Sequence, residues 1–372
     1  MVYRLPAEKS GGPDTMFTEQ SLRDHPALVK AFTGLPAETF WVLVEQMEVK
    51  MPEYERQRHE RPDRQRAIGA GRPYDQPLVI RVALSLTYLR LHIPQEAVGW
   101  LYGATQSDVS RELRRLLPLM AQMLPAPQVW KVVDESLTEE EVLELVQLAD
   151  GRVLVDATEQ PVYRSQDNEI RKQYYSGKKK AFTLSVPRVF DKTQFVTDGQ
   201  HHIVAISETV PGAKHDKKLS DEVATLAHLP DGCEVNADKG YQGLDKQVSL
   251  ITIRNIESMA EDSSRPRLGG EGRSGSGRHE EEEQVPRLKI HLPFKKPKRG
   301  ELTEEHKGFN RQLSSIRVRV EHCIGWVKNW AIIGTRFRCA HAIYTLVMEV
   351  VCGLVNEQTE RWQAAKTSAN CE

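Results

Sequence analysis

The stretch RVLVDATEQP, from Arg152 to Pro161, constrains the fold more than any other part of the chain. Its uninterrupted apolar run, Val153, Leu154 and Val155, is typical of a strand that is covered on both faces. The run leads directly into Asp156, and burying an ionised carboxylate is costly unless something compensates for the charge. Asp156 must therefore lie at an open strand end, pair with a cation or hold a metal.

Similar patterns recur along the second half of the chain. RVLVDAT, AFTLSVPRVF and HHIVAISETV read as strands, residues 217–229 read as a helix, and CEVNAD reads as a fourth strand that ends in Asp238. Strands that alternate with helices indicate an α/β fold, in which ligands collect just beyond strand ends. We therefore expect adjacent strands to present Asp156 and Asp238 to one site.

A third acid comes from the segment RVRVEHCIGWVKNW, within a mostly helical stretch at residues 303–354. Glu321 is preceded four residues earlier by Arg317 and followed seven residues later by Lys328. Separations of four and seven place these three residues on one side of a helix. Converging carboxylates require a cation, and Mg²⁺ prefers such hard oxygen ligands. An aspartate that follows a strand also commonly caps a turn or a helix, so the spacing alone leaves both interpretations open.

Residues 95–117 fit two helices joined by a turn. Gly99, Gly103 and Val109 have the spacing of a helix-turn-helix, and Thr105 with Asp108 forms a candidate capping box at the start of the second helix. Such a helix reads DNA when it enters the major groove, although an ordinary helical hairpin has the same pattern. The side chains expected on its exposed face are Gln106, Ser107, Ser110, Arg111 and Arg114.

Bulk composition neither supports nor excludes a nucleic-acid partner. Lys and Arg total 51 against 52 Asp and Glu, a formal net charge of -1, so any DNA site must come from local clusters. Two such clusters are RKQYYSGKKK and KKPKR, and the lysines concerned are Lys178, Lys179, Lys180, Lys295 and Lys296. Five widely spaced cysteines and the lack of an apolar signal core predict a cytoplasmic protein without a membrane span.

Several blocks of sequence together resemble a known family. VDATEQP, QYYSGKKKAFTLSV, PGAKHDKKLSD, ADKGYQGL, the long segment around RVRVEHCIGWVK, and FRCAHAIYTLV are similar, in order, to blocks of DDE transposases of the insertion sequence 5 and Harbinger-related group. The resemblance covers nearly all of residues 76–356. It implies an α/β fold with a ribonuclease H-like mixed sheet flanked by helices, preceded by an all-α helix-turn-helix domain.

The same resemblance implies roles for individual residues. The DAT, ADKGY and RVRVE motifs identify Asp156, Asp238 and Glu321 as catalytic residues and metal ligands. Arg317 and Lys328 match the family's basic positions and are expected to contact DNA, whereas Ser314 stands where the family usually has tyrosine. Asp216, in the PGAKHD block, competes with Asp238 for the second catalytic position; Asp238 is preferred because it follows a strand.

The activity implied is cleavage of DNA at transposon ends and strand transfer into target DNA. Both steps are expected to require two bound metal ions, either Mg²⁺ or Mn²⁺. The partners implied are double-stranded DNA, both the terminal inverted repeats of the transposon and the target, and at least one further copy of the chain. The location implied is a bacterial cytoplasm. An inactive DNA-binding derivative and an endonuclease without strand transfer are the alternatives.

The expected organisation has four parts. Residues 1–75 are a partly flexible amino-terminal region, residues 76–150 a helical DNA-binding domain, residues 151–356 the catalytic domain, and residues 357–372 a tail. The Gly-, Ser- and Glu-rich stretch 258–284 is predicted to be a disordered insertion, because it has too few apolar residues to bury.

Overall fold

A computed structural model of the chain describes residues 16–60, 74–132, 145–148, 150–162, 189–255 and 281–369. Its first part is helical. The helices are α1 (Glu19–Asp24), α2 (Pro26–Thr33), α3 (Ala37–His59), α4 (Leu78–Leu91), α5 (Gln95–Tyr102) and α6 (Gln106–Met123). Helix α4 is buried on all sides, as its apolar sequence predicts. Its buried Arg81 pairs with Glu112 of α6 at 2.7 Å, which joins the two helices.

The second part is built on a mixed sheet. Its strands are β1 (Gln128–Trp130), β2 (Arg152–Val162), β3 (Val189–Asp198), β4 (Ile203–Ser207), β5 (Val210–Pro211), β6 (Glu234–Ala237) and β9 (Lys289–His291). The order is β1-β4-β3-β2-β6-β9, and β5 pairs with β3. Strand β2 is antiparallel to β3 and parallel to β6. Strands β7 (Leu250–Asn255) and β8 (Glu281–Pro286) form a separate antiparallel pair.

Helices cover both faces of the sheet. Helix α7 (Asp216–Glu222) lies on one face, while α8 (Glu304–Lys328), α9 (Ala331–Gly334) and α10 (Tyr344–Ala369) follow in the carboxy-terminal part. Leu154 of β2 belongs to the core that includes α8 and α10, whereas Val153 and Val155 belong to the core around α7. The apolar run of β2 is therefore buried on both sides, as its sequence predicted. A mixed sheet flanked by helices fits a ribonuclease H-like core.

Several element predictions need correction. Strand β2 does not end at Asp156 but continues to Val162, because β3 pairs with it along its whole length. Residues 281–284 of the predicted disordered insertion belong to β8, since β7 supplies them with a hydrogen-bonding partner. Helix α6 extends beyond the predicted range 95–117, through Pro118 to Met123, and α10 continues through the predicted tail to Ala369. The rest of the insertion, 258–280, lies outside the described residues.

None of the described helices is by itself long and apolar enough to cross a membrane. Helices α2 and α3 satisfy that criterion only when they are taken together, with a bend of 75° between them.

Candidate active site

Asp156 and Asp238 are brought together by the parallel pairing of β2 and β6. Val155 is the register partner of Ala237, so the two aspartates are the next residues on adjacent strands. Side chains alternate between the faces of a sheet, and both Val155 and Ala237 face the core around α7. The alternation directs Asp156 to the opposite face, where α8 contacts β2, and Arg317 of α8 contacts both Asp156 and Asp238. The predicted juxtaposition is therefore present, although Asp156 lies within a strand rather than at its end.

Arg317 of α8 lies among the acids on this face. Its Nη1 is 3.2 Å from Asp238 Oδ1, and its Nη2 is 3.4 Å from Asp156 Oδ2 and 4.0 Å from Glu321 Oε1. The arginine side chain is only 11% exposed, compared with 21% for Asp156, 44% for Asp238 and 55% for Glu321. Three acids from distant segments thus share one guanidinium group, and Glu321 lies at the outer edge of the cluster.

Burial dominates the electrostatics of Asp156 and raises the pKa of its carboxyl group to about 6. The backbone N–H of Ala157, which donates to Asp156 Oδ1 at 2.8 Å, and the charge of Arg317 both lower this pKa. The neighbouring carboxylates of Asp238 and Asp216 raise it. A cation with a higher charge than arginine would hold Asp156 ionised more strongly.

The donor atoms of this cluster suit a hard divalent cation, because all three acids offer carboxylate oxygens. Within the described residues, however, no group of three or more His, Cys, Asp or Glu side chains lies close enough to hold a metal. The guanidinium group of Arg317 lies among these acids. The buried Tyr241 hydroxyl has no hydrogen-bond partner within the described part of the chain, and its pKa is raised by burial and by the nearby aspartates, Asp156, Asp216 and Asp238.

Asp216, the competing aspartate, has a different environment. It is buried at the first position of α7, where Lys192 Nζ donates to its Oδ1 at 2.9 Å. Lys192 belongs to β3 and also lies 3.7 Å from Glu159 of β2, its register partner. This buried ionic cluster was not predicted from the sequence. The sequence feature that could have indicated this cluster lies in the strand Val189–Asp198, where charged residues interrupt the apolar pattern.

The helix pair α5 and α6 has the local geometry that the sequence predicts. Gly103 adopts a left-handed conformation at the end of α5, and Thr105 and Asp108 cap α6 reciprocally. Gly99 has no room for a side chain, since an added Cβ would lie 2.4 Å from the carbonyl oxygen of Ala104. Of the predicted contact residues, Gln106, Ser107, Arg111 and Arg114 are exposed and Ser110 is half-buried.

The predicted basic residues lie in several places. Lys178, Lys179 and Lys180 lie outside the described residues, and Lys295 and Lys296 are exposed in the segment that precedes α8. Lys328 is exposed at the last position of α8, roughly 10 Å along the helix from Glu321. Ser314 is exposed on the same helix, before Arg317.

Comparisons with known proteins show what the chain is similar to. Residues 155–356, more than half of the chain, match the family described as DDE superfamily endonuclease. The chain is 23% identical over 276 residues to the probable transposase for insertion sequence element IS702 of Microchaete diplosiphon. That match covers 74% of this chain and 79% of the relative. No solved structure shows a significant match.

Proposed function

The chain belongs to the DDE superfamily of endonucleases, as its resemblance to insertion-sequence transposases predicted, and from this premise we propose that it catalyses transposition. The reaction proposed is cleavage of DNA at transposon ends followed by joining of the freed 3′-hydroxyl to target DNA. The observation that carries this proposal is the convergence of Asp156, Asp238 and Glu321 around Arg317.

Asp156, Asp238 and Glu321 are the residues proposed to hold Mg²⁺ or Mn²⁺. The DDE superfamily generally uses divalent metal ions, and the pair of ions expected here would activate the attacking oxygen and stabilise the leaving one. Asp156 lies within β2 and Asp238 directly follows its paired strand β6, and this pairing holds their positions. Glu321 stands on a helix and is half exposed, so its carboxylate has more freedom to adjust to a ligand.

The basic residues are proposed to bind the DNA that the site acts on. Arg317 is close enough to the acids to become a charge-assisted donor to a phosphate bound there. Lys295 and Lys296 precede α8, and Lys328 ends it, so they are proposed to contact the backbone farther from the acids. Paired cleavage of two transposon ends would require at least a dimer on DNA.

The catalytic assignment is tested by conservative substitution of the acids. Asp156→Asn, Asp238→Asn and Glu321→Gln should each lower Mg²⁺-dependent cleavage of terminal-repeat DNA by at least about a hundredfold, because each removes a charged oxygen ligand. Glu305→Gln, an exposed acid on the same helix, is the matched control and should retain activity. Unchanged cleavage by Asp156→Asn would refute the assignment.

A second assay separates a transposase from an endonuclease without strand transfer. Pre-nicked transposon ends are incubated with a supercoiled target and Mg²⁺, and joined products are separated on a gel. A transposase yields joined products, and a simple endonuclease yields only cleaved DNA. Loss of joining in Asp238→Asn would show that the same acids serve both steps.

We also propose that α6 is the recognition helix of a helix-turn-helix that binds the terminal repeats. Arg114→Ala should weaken binding and reduce the slope of log K against log salt concentration by about 1 if Arg114 contacts a phosphate. Arg361→Ala, on α10, removes an arginine that pairs with Glu357 and serves as the control. Identical binding by the Arg114 variant and the wild type, measured by fluorescence anisotropy at several salt concentrations, would contradict this role.

A further inference from the structure

The contacts of Arg317 differ from those of a structural ion pair. Its two shortest distances to carboxylate oxygens are 3.2 and 3.4 Å, and the third is 4.0 Å. In the buried pair of Arg81 and Glu112 the distance is 2.7 Å, near the optimum for a charged hydrogen bond. Arg317 is therefore placed among three carboxylates without forming an optimal bond to any one of them.

The guanidinium group is also incompletely satisfied, as is that of Arg81, whose Nη2 has no partner among the described residues, so the longer distances are what distinguish Arg317. The side chain is almost buried, yet its Nε has no hydrogen-bond partner within the described residues. A buried donor that lacks a partner costs free energy, so the present position of Arg317 must be maintained by the charges around it. The guanidinium group carries a positive charge within the acid cluster. Its contacts with the carboxylates are too long to fix it there.

The acids need such a charge when no metal is present. Asp156 and Asp238 follow the register partners Val155 and Ala237, and Glu321 lies beside the same guanidinium group, so three like charges repel one another. Apart from Arg317, the nearby cation Lys192 is already engaged by Asp216 and Glu159. Among the described residues, Arg317 is thus a basic residue in contact with all three acids.

We propose that Arg317 is a resident counter-cation, which holds the acid cluster together in the metal-free protein and must leave it before a divalent cation enters. This inference rests on the proposed function, since it takes Asp156, Asp238 and Glu321 as the metal ligands. Arg317 therefore opposes metal binding in the absence of DNA, and its release makes it available to a phosphate. It is a positioning residue for the acids rather than a ligand.

The test measures metal binding without DNA and without catalysis. The full chain is titrated with MnCl₂, free Mn²⁺ is followed by electron paramagnetic resonance, and the melting temperature is recorded with and without Mn²⁺. Arg317→Gln should bind Mn²⁺ on the order of tenfold more tightly than the wild type, because it removes a positive charge from the site. Its melting temperature should be lower without metal and rise more on addition of Mn²⁺. Arg317→Lys, which keeps the charge, should bind Mn²⁺ about as the wild type does.

Arg319→Gln is the matched control, because Arg319 lies on the same helix and donates to the carbonyl oxygen of Gly199 instead of to the acids. It should leave Mn²⁺ affinity unchanged. Equal or weaker binding by Arg317→Gln would overturn the inference. Arg317→Met, which replaces the aliphatic part of the arginine side chain and removes its charge, gives the same reading should the glutamine variant not fold. Wild-type binding of Mn²⁺ that Asp156→Asn does not reduce would instead refute the proposed metal ligands.

Discussion

At the scale of single residues, the direction in which a side chain points decides what it does. Asp156 follows three buried apolar residues, and the alternation of side chains along β2 turns it toward α8 and away from the core around α7. Its buried charge is compensated there by the N–H of Ala157 and by Arg317. The sequence predicted the need for compensation, and the structure identifies the groups that provide it.

His92 shows a second residue whose environment is decided by distant contacts. It follows α4 as the C-cap in a left-handed conformation, is buried, and its Nδ1 lies 2.8 Å from the hydroxyl of Thr335. Burial, with a smaller effect of the Arg338 charge, lowers the pKa of His92 from 6.5 to about 4. The neutral imidazole therefore lies at the junction between the helical part and the loop that follows α9.

We predict that His92 makes the protein sensitive to acid. Below pH 6.5 the unfolded chain binds a proton at this position and the folded protein does not. The free energy of unfolding therefore decreases as the pH is lowered, until the folded pKa near 4 is reached. Between about pH 8 and pH 5 the loss should be on the order of 2 kcal/mol. His92→Asn, which tolerates the left-handed conformation, should remove this part of the pH dependence in urea unfolding. Equal losses in variant and wild type would contradict the prediction.

At the scale of elements, the turn that follows β6 positions Asp238. Asp238, Lys239, Gly240 and Tyr241 form a tight turn against α7. A Cβ added to Gly240 would lie 2.5 Å from Asp216 Oδ2, and Lys192 holds that carboxylate in place. Contacts with the buried ionic cluster around Asp216 thus hold Asp238, the second acid of the site, in position. The fold uses Asp216 to shape the turn that carries Asp238.

Gly240→Ala should therefore disturb the site more than its size suggests. The added methyl group forces the turn away from Asp216, and we expect a loss of about 1 to 3 kcal/mol in stability. Mn²⁺ affinity and cleavage should both fall at least about tenfold, because Asp238 moves with the turn. Gly308→Ala is the control: a Cβ there meets no atom within 4 Å, and the helix α8 should gain up to about 1 kcal/mol. Wild-type Mn²⁺ affinity in Gly240→Ala would show that the turn does not position the acid.

At the scale of the whole molecule, the helical part and the sheet share one hydrophobic core. Phe40 and Leu84 from the helical part belong to the same cluster as Leu154 and Phe195 of the sheet and Met348 of α10. The sequence predicts a boundary near residue 150, where the texture changes from helices to strands. Packing continues across that boundary, because α4 and α6 pack against α9 and α10, while α8 and α10 cover a face of the sheet.

We predict that the described parts unfold together. Differential scanning calorimetry of the full chain should give a single transition whose calorimetric and van't Hoff enthalpies agree, since a shared core couples the two parts. A van't Hoff enthalpy smaller than the calorimetric enthalpy, two resolved transitions, or a protease-resistant fragment that begins near residue 150 would instead identify independently folding domains.

Local patterns in the sequence determined much of this protein. The capping box at Thr105 follows from residues three apart, the common side of Arg317 and Glu321 follows from residues four apart, and the buried strand leading to Asp156 follows from three consecutive apolar residues. Neighbours along the chain decide such features, so a single sequence is enough to predict them.

Only the tertiary structure decided how these pieces meet. Arg317 contacts Asp238, 79 residues away in the sequence, and Asp156, 161 residues away. Lys192 of β3 contacts Asp216 of α7, and the strands β4 and β5 lie between them in the sequence. Charged residues in Val189–Asp198 concealed a strand, because Glu159 and Asp216, the partners of Lys192, lie on other segments. Pairing register and helix docking are set by contacts between distant segments, and no local period in the sequence encodes them.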